Sequence, residues 1–316
     1  MLFLIILAAV LLLCLLISFV LYLVAYRSPL GRQNEDLAVN ETPQMQVFHE
    51  KITGMISSLA ARPFERVYIQ SFDGLKLAGR YYHQKDGAPL DICFHGYRGT
   101  PCRDFSGGAA AYMDAGHTVL MIEERAHCTS AGHTITFGVK ERYDCLSWAR
   151  YAVERFGPDV RIILSGISMG AATVLMASAL DLPANVRGII ADCPFSSPRA
   201  IIRKVSADLK IPPALSWPLL YLAARLFGRF DPNAADATQA VQKAKVPILL
   251  IHGEDDRFVP VEMSRQIAAA APERISLHTF PEAGHGISFL LDEERYIKLA
   301  MQFHKDCLSG PEDRLS

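Results

Sequence analysis

The sequence predicts an α/β protein with a mostly parallel central sheet covered by helices on both faces, and with a membrane helix ahead of it. From residue 90 onward, short and continuously apolar runs alternate with helical patterns, as strands do when both faces of a sheet are covered. An uncharged apolar run opens the chain, and one long insertion interrupts the alternation. The predicted strands lie at 90–94, 118–122, 161–164, 186–191, 246–251 and 275–280, and helical patterns lie between them, for example at 141–155, 169–180, 260–271 and 289–308.

The composition is that of an ordinary globular protein, with 316 residues of which 50% are hydrophobic. This length suits one large α/β domain plus an appendage. Lys and Arg number 32 against 33 Asp and Glu, and no block of like charge forms a surface for nucleic acid. The seven cysteines are odd in number and show no C-x-x-C spacing. We therefore expect no disulfide framework, and a reducing compartment for the domain.

Residues 1–26 carry no charged side chain and predict a membrane anchor. As a helix they would be about 39 Å long, enough to cross a hydrocarbon core of roughly 30 Å. A signal peptide and a buried helix are the alternatives, but no basic residue precedes the run, and it is long for a signal peptide. Arg27 and Arg32 follow the span, so the positive-inside rule places the remaining domain in the cytoplasm.

Three further segments follow the anchor. Residues 27–62 are polar and mixed, and predict a linker with one amphipathic helix near 42–59. The main domain is predicted at 63–310, and begins with a hairpin at 65–83 in which Asp73-Gly74 forms the turn. More than fifty residues separate the strands that end at 191 and begin at 246. Because this insertion is apolar and punctuated by prolines, we predict a helical cap at about 195–240, over the carboxyl ends of the strands.

A G-x-S-x-G motif at residues 166–170 predicts a catalytic nucleophile, Ser168. A buried strand precedes the motif and an alanine-rich helix follows it, which is the setting that distinguishes a nucleophile turn from a chance match. Gly166 and Gly170 allow a turn too tight for a Cβ, and the helix N-terminus points N–H groups toward developing negative charge. The alternative is a plain turn in which Ser168 only caps the helix.

The partners of such a serine follow it in the order acid, then histidine. His285 lies in a glycine-flanked loop directly after the last predicted strand, and we predict that it is the general base. The acid should end the preceding strand, where Asp256 is favoured over its neighbour Asp255. Asp192 also ends a strand; it is the second choice of acid, with a role in lining the pocket more favoured. His252 fits a structural, hydrogen-bonded histidine.

An oxyanion hole needs two preorganised N–H donors. The residue after the nucleophile, Met169, provides one. The other usually comes from the loop after an early strand, and we predict the N–H of Tyr97, with His95 and Gly96 allowing a close approach of the backbone. A plain β–α turn is the alternative.

Together these residues resemble the α/β-hydrolase superfamily over about 62–308, and within it the bacterial serine aminopeptidase or prolyl-oligopeptidase-like group. The resemblance implies an α/β-hydrolase fold and assigns the acid to Asp256. One stretch departs from the pattern: relatives carry R-G-H-G-x-S-x-G where this chain has R-A-H-C-T-S-A-G at 125–132, so two glycines are replaced. The matching motifs are H-G-Y-R-G at 95–99, G-I-S-M-G at 166–170, D-C-P-F at 192–195, H-G-E-D-D-R-F-V-P at 252–260 and G-H-G at 284–286.

The expected activity is hydrolysis of carboxylic esters through an acyl-enzyme, on a small or hydrophobic acyl substrate. No cofactor is expected, and no metal, because the sequence has no H-E-x-x-H motif or clustered ligands. A serine peptidase is the alternative enzyme, and it would need a charged group in the pocket to hold a peptide terminus. A non-catalytic binding protein with the same fold is the third reading, since fold alone does not give function.

Overall fold

The computed structural model describes residues 1–28 and 43–309. The predicted linker therefore lies partly outside the described residues, as does the end of the predicted main domain. The described part of the linker holds two short helices, α2 (Pro43–Val47) and α3 (His49–Ala60), where the sequence predicts one. Ile52, Ile56 and Leu59 form the buried stripe of α3, at the spacing of one helix face.

A sheet of eight strands, counted over the described residues, forms the centre of the domain and confirms the predicted fold class. The strands lie in the order β1-β2-β4-β3-β5-β6-β7-β8. β1 and β2 form the predicted hairpin, in which Gly74 takes a φ of +86° at the turn, and β3 to β8 are parallel. The strands are β1 (Glu65–Gln70), β2 (Lys76–Tyr82), β3 (Leu90–Phe94), β4 (Thr118–Glu123), β5 (Ile162–Ile167), β6 (Val186–Asp192), β7 (Ile248–Gly253) and β8 (Ile275–Phe280).

Helices cover both faces of this sheet because its inner strands are apolar on both sides. In β5, Ile162 and Leu164 pack into one core cluster together with Trp148, while Ile163 between them packs into the other with Tyr296. Burying each such side chain contributes roughly 1.5–3 kcal/mol. The connecting helices are α4 (Pro101–Phe105), α5 (Gly108–Asp114), α6 (Glu141–Phe156), α7 (Met169–Ala177), α11 (Val261–Ala270), α12 (Ser288–Leu291) and α13 (Glu293–Leu308).

The predicted insertion between β6 and β7 is helical, and contains α8 (Pro198–Asp208), α9 (Pro213–Leu226) and α10 (Ala237–Val241). Its longest helix, α9, packs along the N-terminal helix α1 (Leu2–Ala25). The Phe19 and Phe227 rings meet edge to face with centroids 5.1 Å apart. That the insertion acts as a cap over the site stays a prediction.

Helix α1 is long and apolar enough to span a membrane, and only 6% of its most apolar window is buried. Its last turn, by contrast, belongs to the domain. Tyr26 is fully buried, with its ring centroid 5.3 Å from that of Phe230 and its hydroxyl donating to the Leu220 carbonyl at 3.2 Å. Arg27 then forms an isolated antiparallel bridge with Thr134. The end of α1 is thus fixed to the domain directly, ahead of the predicted linker.

Candidate active site

Ser168 stands at a sharp turn between β5 and α7. It has φ +55° and ψ −112°, a conformation that is costly for a residue with a side chain and that recurs at functional sites. The Ser168 N–H donates to the Asp192 carbonyl at 2.8 Å, which ties the turn to the end of β6. The hydroxyl therefore projects at the carboxyl edge of the sheet, directly before the N-terminus of α7.

The two glycines of the motif meet backbone where a Cβ would be. A Cβ on Gly166 would lie 2.4 Å from the carbonyl carbon of Gly170. A Cβ on Gly170 would lie 1.9 Å from the carbonyl oxygen of Phe94, at the end of β3. The predicted need for glycine at both positions thus has a steric cause, since strand, turn and helix are in contact through their main chains.

The three predicted triad side chains are joined by hydrogen bonds. The Ser168 hydroxyl donates to Nε2 of His285 at 2.9 Å, and Nδ1–H of His285 donates to Oδ2 of Asp256 at 2.7 Å. Asp255, the neighbouring candidate, is exposed, and no hydrogen bond joins Asp192 to His285. The structure therefore brings together the residues favoured as nucleophile, base and acid. Their catalytic roles stay predictions.

Asp256 is held by the loop that follows β7. Its Oδ1 accepts the N–H groups of Phe258 at 2.9 Å and Val259 at 2.8 Å. His252 lies 3.3 Å from Oδ2, donates to the Val259 carbonyl at 2.8 Å, and is fully buried. Burial alone would raise the pKa of Asp256, but the hydrogen bonds from His252, His285 and the Val259 amide outweigh it and hold that pKa well below its usual range. The carboxylate is ionised at any physiological pH.

The loop after β3 holds the peptide of Tyr97 between two anchored neighbours. The Gly96 N–H donates to Oδ2 of Asp104 at 2.8 Å, and the Arg98 N–H donates to Nε2 of His127 at 3.0 Å. His95 is buried, donates through Nδ1 to the Gly96 carbonyl and accepts the Glu124 N–H at Nε2. Met169 is buried at the start of α7, beside Ser168. That the amides of Tyr97 and Met169 form an oxyanion hole stays a prediction.

The same loop is bonded to the last turn of α1. The Tyr97 hydroxyl donates to the Ala25 carbonyl at 2.9 Å. The Arg98 guanidinium donates to the carbonyls of Val24 at 2.6 Å and Arg27 at 3.2 Å. At the end of a helix the last carbonyl groups lack N–H donors from a following turn, and here the side chains of the loop supply the hydrogen bonds instead. Nothing in the sequence analysis pointed to this contact.

The two lost glycines at 125–132 lie where the backbone is left-handed. Ala126 has φ +62° and Cys128 has φ +46°, a backbone conformation that carries a steric cost for residues with a side chain. His127 stands between them and accepts the Arg98 N–H. His127 thus supports the loop that holds Tyr97, a contact that the motif at 125–132 did not predict.

Replacing Cys128 with glycine should stabilise the protein by about 1 kcal/mol, because glycine takes a positive φ without strain, although it loses more backbone entropy on folding. Thermal unfolding of the full chain in detergent measures the change. Ala269→Gly, on the exposed face of α11, is the control: it puts glycine into a right-handed helix and should cost about 1 kcal/mol. A loss of stability for Cys128→Gly would show that its side chain contributes more than its backbone costs.

A cavity of about 390 Å³ opens beside Ser168. None of its lining residues comes from the predicted cap at 195–240; α2 and α3 contribute Met45, Ile52 and Met55 instead. The sequence predicts an amphipathic helix there but gives no sign that it lines the site. The other lining residues are Gly96, Tyr97, Arg103, Asp104, Phe105, Ser106, Gly107, Gly108, Tyr112, Ile167, Ser168, Asp192, Phe258, His285, Gly286, Phe289, Leu290 and Tyr296.

Asp192 places a buried carboxyl group in the wall of this cavity. Its Oδ2 accepts the Tyr296 hydroxyl at 3.1 Å, and its Oδ1 has no hydrogen-bond partner among the described residues. Burial raises the pKa of Asp192 to about 6, against the opposing effects of His252, the Tyr296 hydrogen bond and His285. The folded protein therefore binds this proton more tightly than the unfolded chain does.

Asp192→Asn is expected to stabilise the protein at pH 8 by about 1–3 kcal/mol, because it removes a buried charge. Below pH 4 the carboxyl is neutral in both states and the gain should vanish; between pH 4 and 6 the wild type loses this part of its stability as pH rises. Unfolding of both proteins at pH 4 and pH 8 measures the difference. A gain that is the same at both pH values would contradict a buried, ionising carboxyl.

A second cluster of ionisable groups lies away from Ser168, where Asp91 of β3 accepts from His304 at 2.6 Å and from His117 at 2.8 Å. His304 also donates to the Ala300 carbonyl. Although burial would lower it, the pKa of His304 is raised by Asp91. The ligand atoms of the three residues lie within 4.8 Å of one another, as in a metal site, but Nε2 of His304 and Nδ1 of His117 already donate to the Asp91 carboxylate. The cluster is an internal ion pair that fastens α13 to the sheet.

Comparison with known proteins identifies the family. The sequence profile of the prolyl oligopeptidase family matches residues 134–311, more than half of the chain, a range that includes Ser168, Asp256 and His285 of the predicted triad. The chain belongs to this family.

Among curated proteins, YqkD of Bacillus subtilis is 26% identical over 196 residues, which are 61% of this chain and 63% of YqkD. The bifunctional esterase/perhydrolase DCH of Acinetobacter calcoaceticus is 40% identical over 55 residues, 17% of this chain and 20% of that protein. The chain thus spans less than two thirds of either curated relative.

Solved structures show that this member of the prolyl oligopeptidase family has the α/β-hydrolase fold. An esterase of Pyrococcus furiosus superposes with a TM-score of 0.63 at 22% identity, over 87% of this chain and 98% of the esterase. The acylaminoacyl peptidase of Pyrococcus horikoshii superposes with a TM-score of 0.58 at 18% identity, over 80% of this chain and 43% of the peptidase. Esterases and peptidases therefore share this framework, and the distinction between them depends on the site.

Proposed function

We propose that this chain is a serine hydrolase that cleaves carboxylic esters through an acyl-enzyme. The observation that carries the proposal is the continuous hydrogen-bonded path from Ser168 Oγ through His285 to Asp256. His285 accepts from the serine at Nε2 and donates to the aspartate at Nδ1, which is the tautomer a general base needs. A binding protein that merely kept the fold would have no need of this arrangement.

The reaction follows from these positions. Ser168 Oγ attacks the carbonyl carbon while His285 takes its proton, and the ionised Asp256 stabilises the imidazolium that results. The amides of Tyr97 and Met169 stabilise the tetrahedral oxyanion, each contributing about 10²–10³ in rate. His285 returns the proton to the leaving alcohol, and water then releases the acid by the same steps in reverse.

Ester hydrolysis is supported by the similarity to DCH, an esterase/perhydrolase, and to the Pyrococcus furiosus esterase. Peptide hydrolysis is the second candidate. Peptide hydrolysis is favoured by the family name and by the similarity to the acylaminoacyl peptidase. The buried Asp192 carboxylate also favours it, because a peptidase needs a charged group in the pocket to hold a peptide terminus.

Helix α1 supports a membrane location for the enzyme. It has 24 residues, none of them charged and nearly all apolar, and its N-terminal part is exposed outside the domain. A side chain at the site, Tyr97, bonds the end of this helix, so the cavity lies near the place where the helix would leave a bilayer. We infer a single-pass anchor, with the domain on the cytoplasmic side and hydrophobic or membrane-derived acyl substrates.

Fluorophosphonate labelling of the full chain in detergent tests the proposal. The wild type should form a covalent adduct at Ser168, and Ser168→Ala should form none. Ser147→Ala, a remote change in α6, is the matched control and should label like the wild type. Absence of an adduct in the wild type, or an adduct that survives in Ser168→Ala, would refute the assignment. A chain-length series of p-nitrophenyl esters, set against aminoacyl amides, then separates esterase from peptidase.

A further inference from the structure

Three deeply buried polar residues line the cavity beside Ser168. Asp192, Tyr112 and Tyr296 are 3%, 3% and 6% exposed. Phe105, Phe289 and Leu290 also line the cavity. A small or purely hydrophobic acyl group needs no carboxylate beside it, so the buried Asp192 in this lining calls for a separate explanation.

Only one of the two oxygens of the Asp192 carboxylate has a hydrogen-bond partner among the described residues. Tyr296 uses its hydroxyl proton on Oδ2, while Oδ1 has no hydrogen-bond partner in the part of the chain that the structure describes. A buried acceptor without a donor is costly, and most buried polar groups in proteins are paired. At neutral pH the group is mainly ionised, since its pKa is about 6. An ionised carboxylate can only accept hydrogen bonds, so the missing partner is a donor.

The position of Asp192 relates this unsatisfied oxygen to the reaction. Asp192 ends the strand next to β5, and its carbonyl receives the Ser168 N–H at 2.8 Å. The leaving group must depart before water can attack the acyl-enzyme, so a deeply buried part of the lining such as Asp192 suits the part of the substrate that stays bound. That part is the acyl group.

We propose that Asp192 selects substrates whose acyl group carries a hydrogen-bond donor, an ammonium or a hydroxyl group, which pairs with its free carboxylate oxygen. The proposal rests on the proposed function, because it takes Ser168 as the nucleophile. It makes Asp192 a specificity residue and leaves the role of triad acid to Asp256. An ammonium group would give an aminoacyl substrate, and a hydroxyl group a hydroxyacyl ester.

Isosteric p-nitrophenyl esters test the proposal with one leaving group throughout. Alanine, lactate and isobutyrate esters differ only in an ammonium, hydroxyl or methyl group on the α-carbon. The 3-aminopropanoate, 3-hydroxypropanoate and butyrate esters repeat the comparison one carbon further from the carbonyl. In at least one series, the wild type should prefer a donor over the methyl group by roughly 10- to 100-fold in kcat/KM, after subtraction of uncatalysed hydrolysis. Preference for the ammonium or for the hydroxyl member distinguishes aminoacyl from hydroxyacyl substrates.

The ratio of donor to methyl substrate should fall at least tenfold in Asp192→Asn, which keeps the volume but loses the charge. Asp255→Asn, an exposed carboxylate near the site, controls for general electrostatics and should keep the wild-type ratio. A wild type that prefers the methyl members of both series, or an Asp192→Asn variant that keeps the donor preference, overturns the proposal. If Asp192→Asn fails to fold, the wild-type ratios still decide. Fluorophosphonate labelling of Ser168 without donor preference would refute this inference alone, whereas absence of labelling would refute the proposed function.

Discussion

Asp256→Asn is expected to lower kcat by about 10⁴-fold, with little change in folding. Oδ1 of Asp256 accepts two backbone N–H groups, so the asparagine would place its carbonyl oxygen there and turn its NH₂ toward His285. The imidazole would then have to accept at Nδ1 and carry its proton on Nε2. In that tautomer it cannot take the proton of Ser168, although every heavy atom stays in place. Steady-state hydrolysis of a p-nitrophenyl ester measures the loss.

The control is Asp255→Asn, which removes a neighbouring exposed carboxylate and should retain a kcat close to that of the wild type. Ester hydrolysis by Asp256→Asn at a near wild-type rate would show that another group orients His285. Outside the pair 255–256, Asp192 is the other predicted candidate for the triad acid. If Asp256→Asn kept its rate, the double variant Asp192→Asn/Asp256→Asn would test whether Asp192 orients His285.

Gly170→Ala should strongly destabilise the protein, because among the glycines that the structure describes Gly170 has the shortest distance from an added Cβ to a main-chain atom. The new Cβ would lie 1.9 Å from the Phe94 carbonyl oxygen and 2.4 Å from the Phe94 carbonyl carbon. Neither contact can be relieved by rotating a side chain, so α7 would have to move away from β3 and β5. We expect a loss of about 4 kcal/mol or more, and a fall in Tm above about 8 °C, together with loss of labelling at Ser168.

Gly54→Ala is the matched control, since it adds the same methyl group in α3, where no atom lies within 4 Å of the new Cβ. It should be neutral or stabilise the protein by up to about 1 kcal/mol, because alanine favours the helix. Thermal unfolding of both variants in the same detergent decides the matter. A Gly170→Ala protein as stable as Gly54→Ala would mean that the contact between α7 and β3 is not as close as the structure shows.

The parallel sheet could be predicted from sequence because its strands are buried on both faces, and such strands are apolar without interruption. The predicted strands at 90–94 and 275–280 coincide at both ends with β3 and β8, and the predicted ends of the other parallel strands lie within a few residues of the observed ones. The meeting of Ser168, Asp256 and His285 could also be predicted, because parallel strands bring their carboxyl ends to one edge. A short motif and the order of residues along the chain were enough there.

What escaped prediction depends on contacts between distant segments that have no periodic pattern. Met45, Ile52 and Met55 look like the apolar residues of any surface helix, and only the packing of α2 and α3 shows that they line the cavity. The positive φ of Ala126 and Cys128 is hidden because neither residue favours it. The half-paired state of Asp192 likewise depends on Tyr296, which comes from a helix more than a hundred residues later.

The end of the first helix is bonded to the domain through Tyr26, Arg27 and the carbonyls of Val24 and Ala25. The helix is therefore not joined to the domain by a flexible linker. If that helix crosses a bilayer, its tilt alone sets how high and at which angle the nucleophile stands above the lipid. The domain would then keep a fixed orientation relative to the membrane helix, and molecules arriving from the headgroup layer would always meet the same side of it.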